Sequence, residues 1–117
     1  MADSEMREPT FWILTALANG KKHGYALISE AAELSSGRVQ LKVGTLYAAL
    51  DRLGHSGLVE SAGEEIVDGR LRRYYTLTAP GADALKEHVT RMESNAREAR
   101  MRLKLHALAL RASEASV

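Results

Sequence analysis

The sequence predicts a mainly α-helical fold carrying one small β-hairpin. Three observations lead there: apolar residues recur at three- and four-residue steps in the first half, two short strand-like runs flank a polar loop, and the last third holds a strict four-three apolar spacing. With 117 residues, 45% hydrophobic and 26% charged, the chain has room for one globular domain and a real core, but not for a separate catalytic domain. No apolar run reaches the roughly 18 residues that a membrane span needs, and the start Met1-Ala2-Asp3-Ser4-Glu5 lacks the basic-then-apolar order of a signal peptide, so a cytoplasmic location is expected. The chain contains no cysteine, which excludes disulfide scaffolds, thiol catalysis and Cys-ligated zinc.

Taking the elements in order, a first helix is expected from about Pro9 to Asn19, because proline suits a first helical turn and Asn19-Gly20 supplies a left-handed stop. Phe11, Trp12, Ile13, Leu14, Leu17 and Ala18 cover nearly its whole circumference, so it needs partners on more than one side. Lys21-Lys22-His23-Gly24 reads as a basic turn. Leu27, Ile28, Ala31 and Leu34 then mark a second, short helix, broken by Ser35-Ser36-Gly37 and followed by a brief extension through Val39-Gln40-Leu41. Leu46, Ala49, Leu50 and Leu53 define the buried stripe of a third helix from Val43 to His55, stopped by Ser56-Gly57. That stripe leaves Thr45, Tyr47, Ala48, Asp51 and Arg52 on its other faces.

Leu58 to Ser61 and Leu71 to Leu77 have strand character, and the stretch from Ala62 to Gly69 reads as the loop between them. Along the second strand Tyr75 and Leu77 are the expected inward pair. Two helices joined by a turn and followed directly by a two-stranded hairpin is the order of a winged helix-turn-helix. After Pro80-Gly81 the residues Leu85, Val89, Met92, Ala96, Ala99, Leu103, His106 and Leu110 hold coiled-coil spacing, interrupted near its end by His106. A single helix from 79 to 112 is about 50 Å long, more than a compact body of the remaining residues can cover, so a second copy of the same helix in a homodimer is the expected partner. The expected organisation is a flexible N-terminus at 1–8, a winged helix-turn-helix at 9–78, a dimerisation helix at 79–112 and a flexible tail at 113–117.

Gly44-Thr45-Leu46-Tyr47, Leu50, Arg52-Leu53, Gly57-Leu58-Val59 and the run from Gly69-Arg70-Leu71-Arg72-Arg73 to Thr78, with Gly81 three residues on, closely resemble the PadR family of bacterial transcriptional regulators. His23-Gly24-Tyr25-Ala26-Leu27 fits the family's second helix, and the resemblance covers roughly residues 10 to 85. Ala48 departs from it, standing where many members carry proline. The resemblance implies a dimeric winged-helix regulator, a repressor or an activator, whose C-terminal helix dimerises; some branches of the family sense phenolic or multidrug-type ligands.

The residues themselves point the same way. Thr45 and Tyr47 place hydroxyls near the N-terminus of the third helix, where backbone N–H groups and the helix dipole favour a phosphate. Tyr47 taken alone reads as a packing residue; its place beside Thr45 favours a DNA contact. Lys42 and Arg52 add phosphate or guanine contacts, while Tyr25 at the second helix and Arg70, Arg72 and Arg73 on the hairpin complete the expected DNA-binding set. Residues 61–81 hold three acids and three arginines, so the wing must segregate its charges in space to meet DNA. Net charge is only +1, with the excess of bases lying away from the N-terminus.

Trp12 reads either as core or as a stacking plate for a small aromatic effector at the dimer interface. The four histidines lack a paired arrangement, no nucleophile triad or phosphate loop is present, and neither catalysis, metal nor cofactor is expected. A pseudo-palindromic operator in double-stranded DNA is the expected partner. Two alternatives remain: a winged-helix module that binds a protein without DNA, and a small-molecule carrier with a vestigial DNA-binding part.

Overall fold

In the computed structural model, which describes residues 6–115, the order of elements is α1 (Glu8–Leu17), β1 (Lys22–His23), α2 (Gly24–Leu34), α3 (Val43–His55), β2 (Val59–Val67), β3 (Arg70–Leu77) and α4 (Ala79–Ala115). The strands form one antiparallel sheet in the order β1-β3-β2. By backbone contacts the chain divides into two units, one ending at Leu85 and the other beginning at Lys86.

The core of the first unit is aliphatic and drawn from every helix in it: Ile13, Leu14 and Leu17 of α1, Leu27 of α2, Leu46, Leu50 and Leu53 of α3, and Val59 of β2. The stripe expected on α3 is the one buried, and its ends fall at Val43 and His55. Tyr75 and Leu77 pack on this core from β3, as their strand parity requires. The loop between α2 and α3 turns through Ser36 (φ 56°) and Gly37 (φ 82°). Buried Ser35 closes that turn, its hydroxyl donating to the Ala32 carbonyl at 3.3 Å and accepting from the Val39 amide at 2.9 Å.

Several expectations need correction. α1 ends at Leu17, two residues before the Asn19 expected, because the chain tightens to i→i−3 bonds there, Ala18 N–H to the Thr15 carbonyl at 3.1 Å and Gly20 N–H to the Leu17 carbonyl at 3.2 Å, while Lys22 Nζ donates to the Ala16 carbonyl at 2.6 Å and the Asn19 side chain at 2.5 Å. The basic turn at residues 21–24 contains a strand, with Lys22 opposite Tyr75 and His23 opposite Tyr74. Most of the expected hairpin loop is strand as well: β2 continues to Val67, and the reversal is confined to Asp68 (φ 52°) and Gly69 (φ 76°). Two consecutive left-handed residues make the primed turn that matches strand twist, for which Asp-Gly is a preferred pair. One extra residue in β2 between Ser61 and Glu64 is absorbed as a bulge, with Gly63 at φ 103°.

Thr78 starts α4, its hydroxyl accepting from the Gly81 amide at 3.0 Å and donating to the Gly57 carbonyl at 2.6 Å. Gly81 is buried, and a Cβ on it would stand 2.0 Å from the Leu58 carbonyl oxygen. At the chain ends, Met6 packs partly buried on the core and Glu8 is helical, so the flexible N-terminus expected at 1–8 does not extend over them. α4 runs three residues past Ala112 into the expected tail. Residues 1–5 and 116–117, which those two expectations also covered, lie outside the described residues.

Candidate nucleic-acid interface

α3 exposes the face opposite its core stripe. Gly44, Ala48, Asp51 and His55, at four-three-four steps, form its outer row, with Thr45 and Arg52 flanking on one side and Tyr47 and Gly54 on the other. A Cβ on Gly44 would meet nothing within 4 Å, so the outer row is nearly bare over the first turns and another surface can approach the backbone closely there. Lys42, at the N-cap, is exposed and makes no side-chain capping bond. The first-turn N–H groups of α3, the Thr45 hydroxyl and the Lys42 ammonium therefore lie together at one helix end, an arrangement suited to a phosphate oxygen.

Tyr47 does not share that exposed surface with Thr45. It is half-buried: a Cβ added at Gly24 would lie 2.5 Å from its hydroxyl, and its ring stands 6.3 Å from that of Tyr75. It thus joins the start of α2, the middle of α3 and the wing strand β3. Sequence reasoning misses Gly24, the residue that makes room for it, though its place in the His23-Gly24-Tyr25 run is the available signal. Tyr25, the next residue, is exposed. The His23 ring accepts from the Ala26 amide and caps α2.

On the wing the charges are paired across rungs, not segregated. Glu64 lies opposite Arg73, with N···O 3.5 Å, and Glu65 opposite Arg72, while Tyr74 donates its hydroxyl to Glu65 at 2.7 Å. That hydrogen bond to a carboxylate, with some burial, raises the Tyr74 phenol above its usual range. Arg70 stands opposite Val67 beside the turn, so it faces no carboxylate across its rung. β1 adds what sequence reasoning missed: it brings the Lys21 ammonium to 5.0 Å from the centre of the Tyr74 ring, and His23 edge-on to the same ring at 5.6 Å. Arg70 and Arg73 are exposed and Arg72 half-exposed.

Trp12 is half-buried, edge-on to Phe11 with centroids 4.7 Å apart. Its indole N–H donates to Glu8 Oε2 at 3.1 Å, and the same oxygen accepts from Arg38 Nε at 3.0 Å and Nη2 at 2.6 Å. Arg38 lies in the loop leading to α3, so the contact joins the indole to the approach to that helix. The Arg38 and Trp12 hydrogen bonds hold the Glu8 carboxyl below its usual 4.5. A carboxyl depressed on folding contributes stability that is present above its unfolded pKa and is lost as pH falls through the folded one. Trp12 emission is accordingly expected to stay constant from pH 7 to pH 5 and to change with a midpoint below 4.5, a step that Glu8→Gln removes.

Of the row expected to dimerise, Leu85 and Val89 are half-buried, Leu85 packing on the core, whereas Met92, Ala96, Ala99, Leu103 and Leu110 are exposed. Sequence reasoning missed a second exposed row, Met101, Leu105, Leu108 and Ala112, which repeats the four-three spacing half a turn away from Leu103. Among the described residues no group of three or more His, Asp or Glu could hold a metal ion, and no helix is long and apolar enough to cross a membrane.

A turn-linked helix pair whose second member offers an exposed face, with a β-hairpin following, defines a winged helix-turn-helix protein. The sequence profile of the transcriptional regulator PadR-like family matches residues 13–87, and the chain belongs to that family. The transcriptional regulator Rv3488 of Mycobacterium tuberculosis is 41% identical over 86 residues, covering 74% of this chain and 77% of that one. Among solved structures, a PadR family transcription regulator from Clostridium difficile superposes with a TM-score of 0.61 at 28% identity, covering 85% of this chain and 99% of that one. Bacillus subtilis PadR, solved in complex with operator DNA, has a TM-score of 0.62 at 25% identity, covering 71% of this chain and 48% of that one.

Proposed function

We propose that the chain is a cytoplasmic, homodimeric DNA-binding repressor of transcription that reads a pseudo-palindromic operator, with α3 as recognition helix and the β2–β3 hairpin as wing. The observation that carries this reading is the exposed face of α3, with Gly44 and Ala48 bare, Thr45 and Lys42 at its N-terminus and Arg52 beyond. A major groove about 12 Å wide admits such a helix. The likeness to a PadR solved on operator DNA supports it. Tyr25, Arg70, Arg72 and Arg73 would supply further phosphate or minor-groove contacts, and Tyr47 would hold α2, α3 and the wing in register as well as offering its hydroxyl.

The apolar row from Leu85 to Leu110 supports a dimer, in which recognition helices would meet half-sites about 34 Å apart or a multiple of that. A small aromatic effector stacking on Trp12 at the interface would change that separation and shift the population away from the DNA-competent dimer. No catalytic role is proposed.

Titration against duplex DNA at several salt concentrations tests the reading. Affinity should fall with log salt at a slope of about −0.9 per phosphate contacted. Thr45→Ala combined with Tyr47→Phe should weaken binding to all sequences alike, by about tenfold, with dimerisation intact. A chain whose DNA affinity is insensitive to salt binds no operator, and a protein-binding module would then be the reading.

A further inference from the structure

Between the C-terminal half of α3 and the sheet lies a groove of about 390 Å³, within the range of small-molecule sites. Its apolar floor is Leu50 and Val59, both of the core, and beside it the rings of Tyr47 and Tyr75 pack together, centroids 6.3 Å apart and inclined at 56°. Asp51 and Glu60 stand at its edge, one from α3 and one from β2, and both are exposed. His55 Nδ1 stands 3.8 Å from Asp51 Oδ1. The cation in the lining, Arg73, is shared between Glu64 on its own rung, at N···O 3.5 Å, and the Tyr75 hydroxyl. The groove thus combines the negative faces of two phenol rings with two carboxylates from different elements. Burial raises the Tyr75 phenol and Tyr47 adds to it, Arg73 opposes the rise by its charge and its hydrogen bond, and Asp51 contributes least.

With two carboxylates against one guanidinium in the lining, this chemistry repels a phosphate. On a surface meant to meet DNA it therefore calls for a counter-charge. A metal ion is not the fit, since among the described residues no three carboxylates or imidazoles converge. A tilted aromatic pair beside an aliphatic floor suits a flat ring, and carboxylates at the edge suit a cationic head.

We infer that the groove between α3 and the sheet binds a small flat organic cation, of the arylamidinium or arylammonium class, and that its occupation tightens DNA binding. The ring lies against the Tyr47–Tyr75 pair, over Leu50 and Val59, while the head pairs with Asp51 and Glu60. Neutralising two carboxylates beside the recognition helix lowers repulsion of the phosphate backbone. By linkage, DNA must then tighten the cation to the same degree. The second half of the inference rests on the DNA-binding reading, while the site itself does not.

Benzamidinium is the probe, with neutral benzamide as its isosteric control. Titration of the full chain, followed by amide NMR, should move the signals of Gly54, Ser61 and Tyr75, with benzamidinium binding at least about tenfold tighter than benzamide. Asp51→Asn with Glu60→Gln should abolish that preference. In DNA titrations saturating benzamidinium should raise the affinity of the unmodified chain by about two- to tenfold and leave the double variant unchanged. Unmoved groove amides, or equal binding of the neutral control, overturns the site. Groove binding that lowers DNA affinity overturns the tightening. Groove binding by a chain with no salt-dependent DNA affinity leaves the cation site standing and removes the operator reading.

Discussion

Gly81→Ala is expected to destabilise the first unit by about 3 kcal/mol or more, the size of effect that marks a steric fault within a packed core. The Cβ would stand 2.0 Å from the Leu58 carbonyl oxygen, 2.9 Å from its carbon and 2.8 Å from Leu77 Cδ1. Two of those three atoms are backbone and cannot swing aside as a side chain can. The shift must open the junction where Thr78 ties the start of α4 to Gly57. For a unit of this size the melting temperature should drop by at least about 10 °C, read by circular dichroism. Gly44→Ala is the matched control: a Cβ there meets nothing, so the better helix former should leave stability unchanged or raise it by up to about 1 kcal/mol. Equal losses at both positions would show that the contact at Gly81 is not what demands glycine.

The second large effect is expected at Leu103, which is 66% exposed in the single chain. If the chain dimerises through this row as proposed, Leu103→Asp should yield a monomer in sedimentation, because a charge buried in an apolar seam has no partner to offset its desolvation. Operator affinity should then fall by about a hundredfold or more, since the second half-site is no longer held at the high effective concentration that linkage provides. Leu105→Asp provides the contrast. Leu105 belongs to the row on the opposite side of α4, so this substitution should leave the sedimentation unchanged. A monomer produced by Leu105→Asp and not by Leu103→Asp would move the seam to the second row.

What sequence made legible follows from how local its cause is. The stripe of α3 depends on a 3.6-residue period, and both its buried members and its ends come out as expected. The inward pair Tyr75 and Leu77 follows from strand parity in the same way. β1 had no such signal: two residues, Lys22 and His23, are too few for any period, and they become a strand only because β3 passes beside them. The hairpin turn did have one, Asp68-Gly69, but the bulge at Ala62-Gly63 breaks the alternation and exposed Glu64 and Glu65 give the strand a loop's composition. Neighbourhood in the sequence puts Tyr47 beside Thr45. Its rotation toward Gly24 and Tyr75 is set by packing between elements, which no single helix can reveal. Composition gives the charges of the wing, yet their rung-by-rung pairing depends on a register that a loop-like composition conceals.

The oxygen shared by Trp12 and Arg38 has a further consequence. Glu8 Oε2 has a limited set of lone pairs, and the indole and the guanidinium both draw on them. The two donors are rivals: whatever pulls the indole aside leaves the oxygen wholly to Arg38 and firms the segment ahead of α3, and whatever frees Arg38 firms the indole. Tension at one end of this strut is relieved by slack at the other.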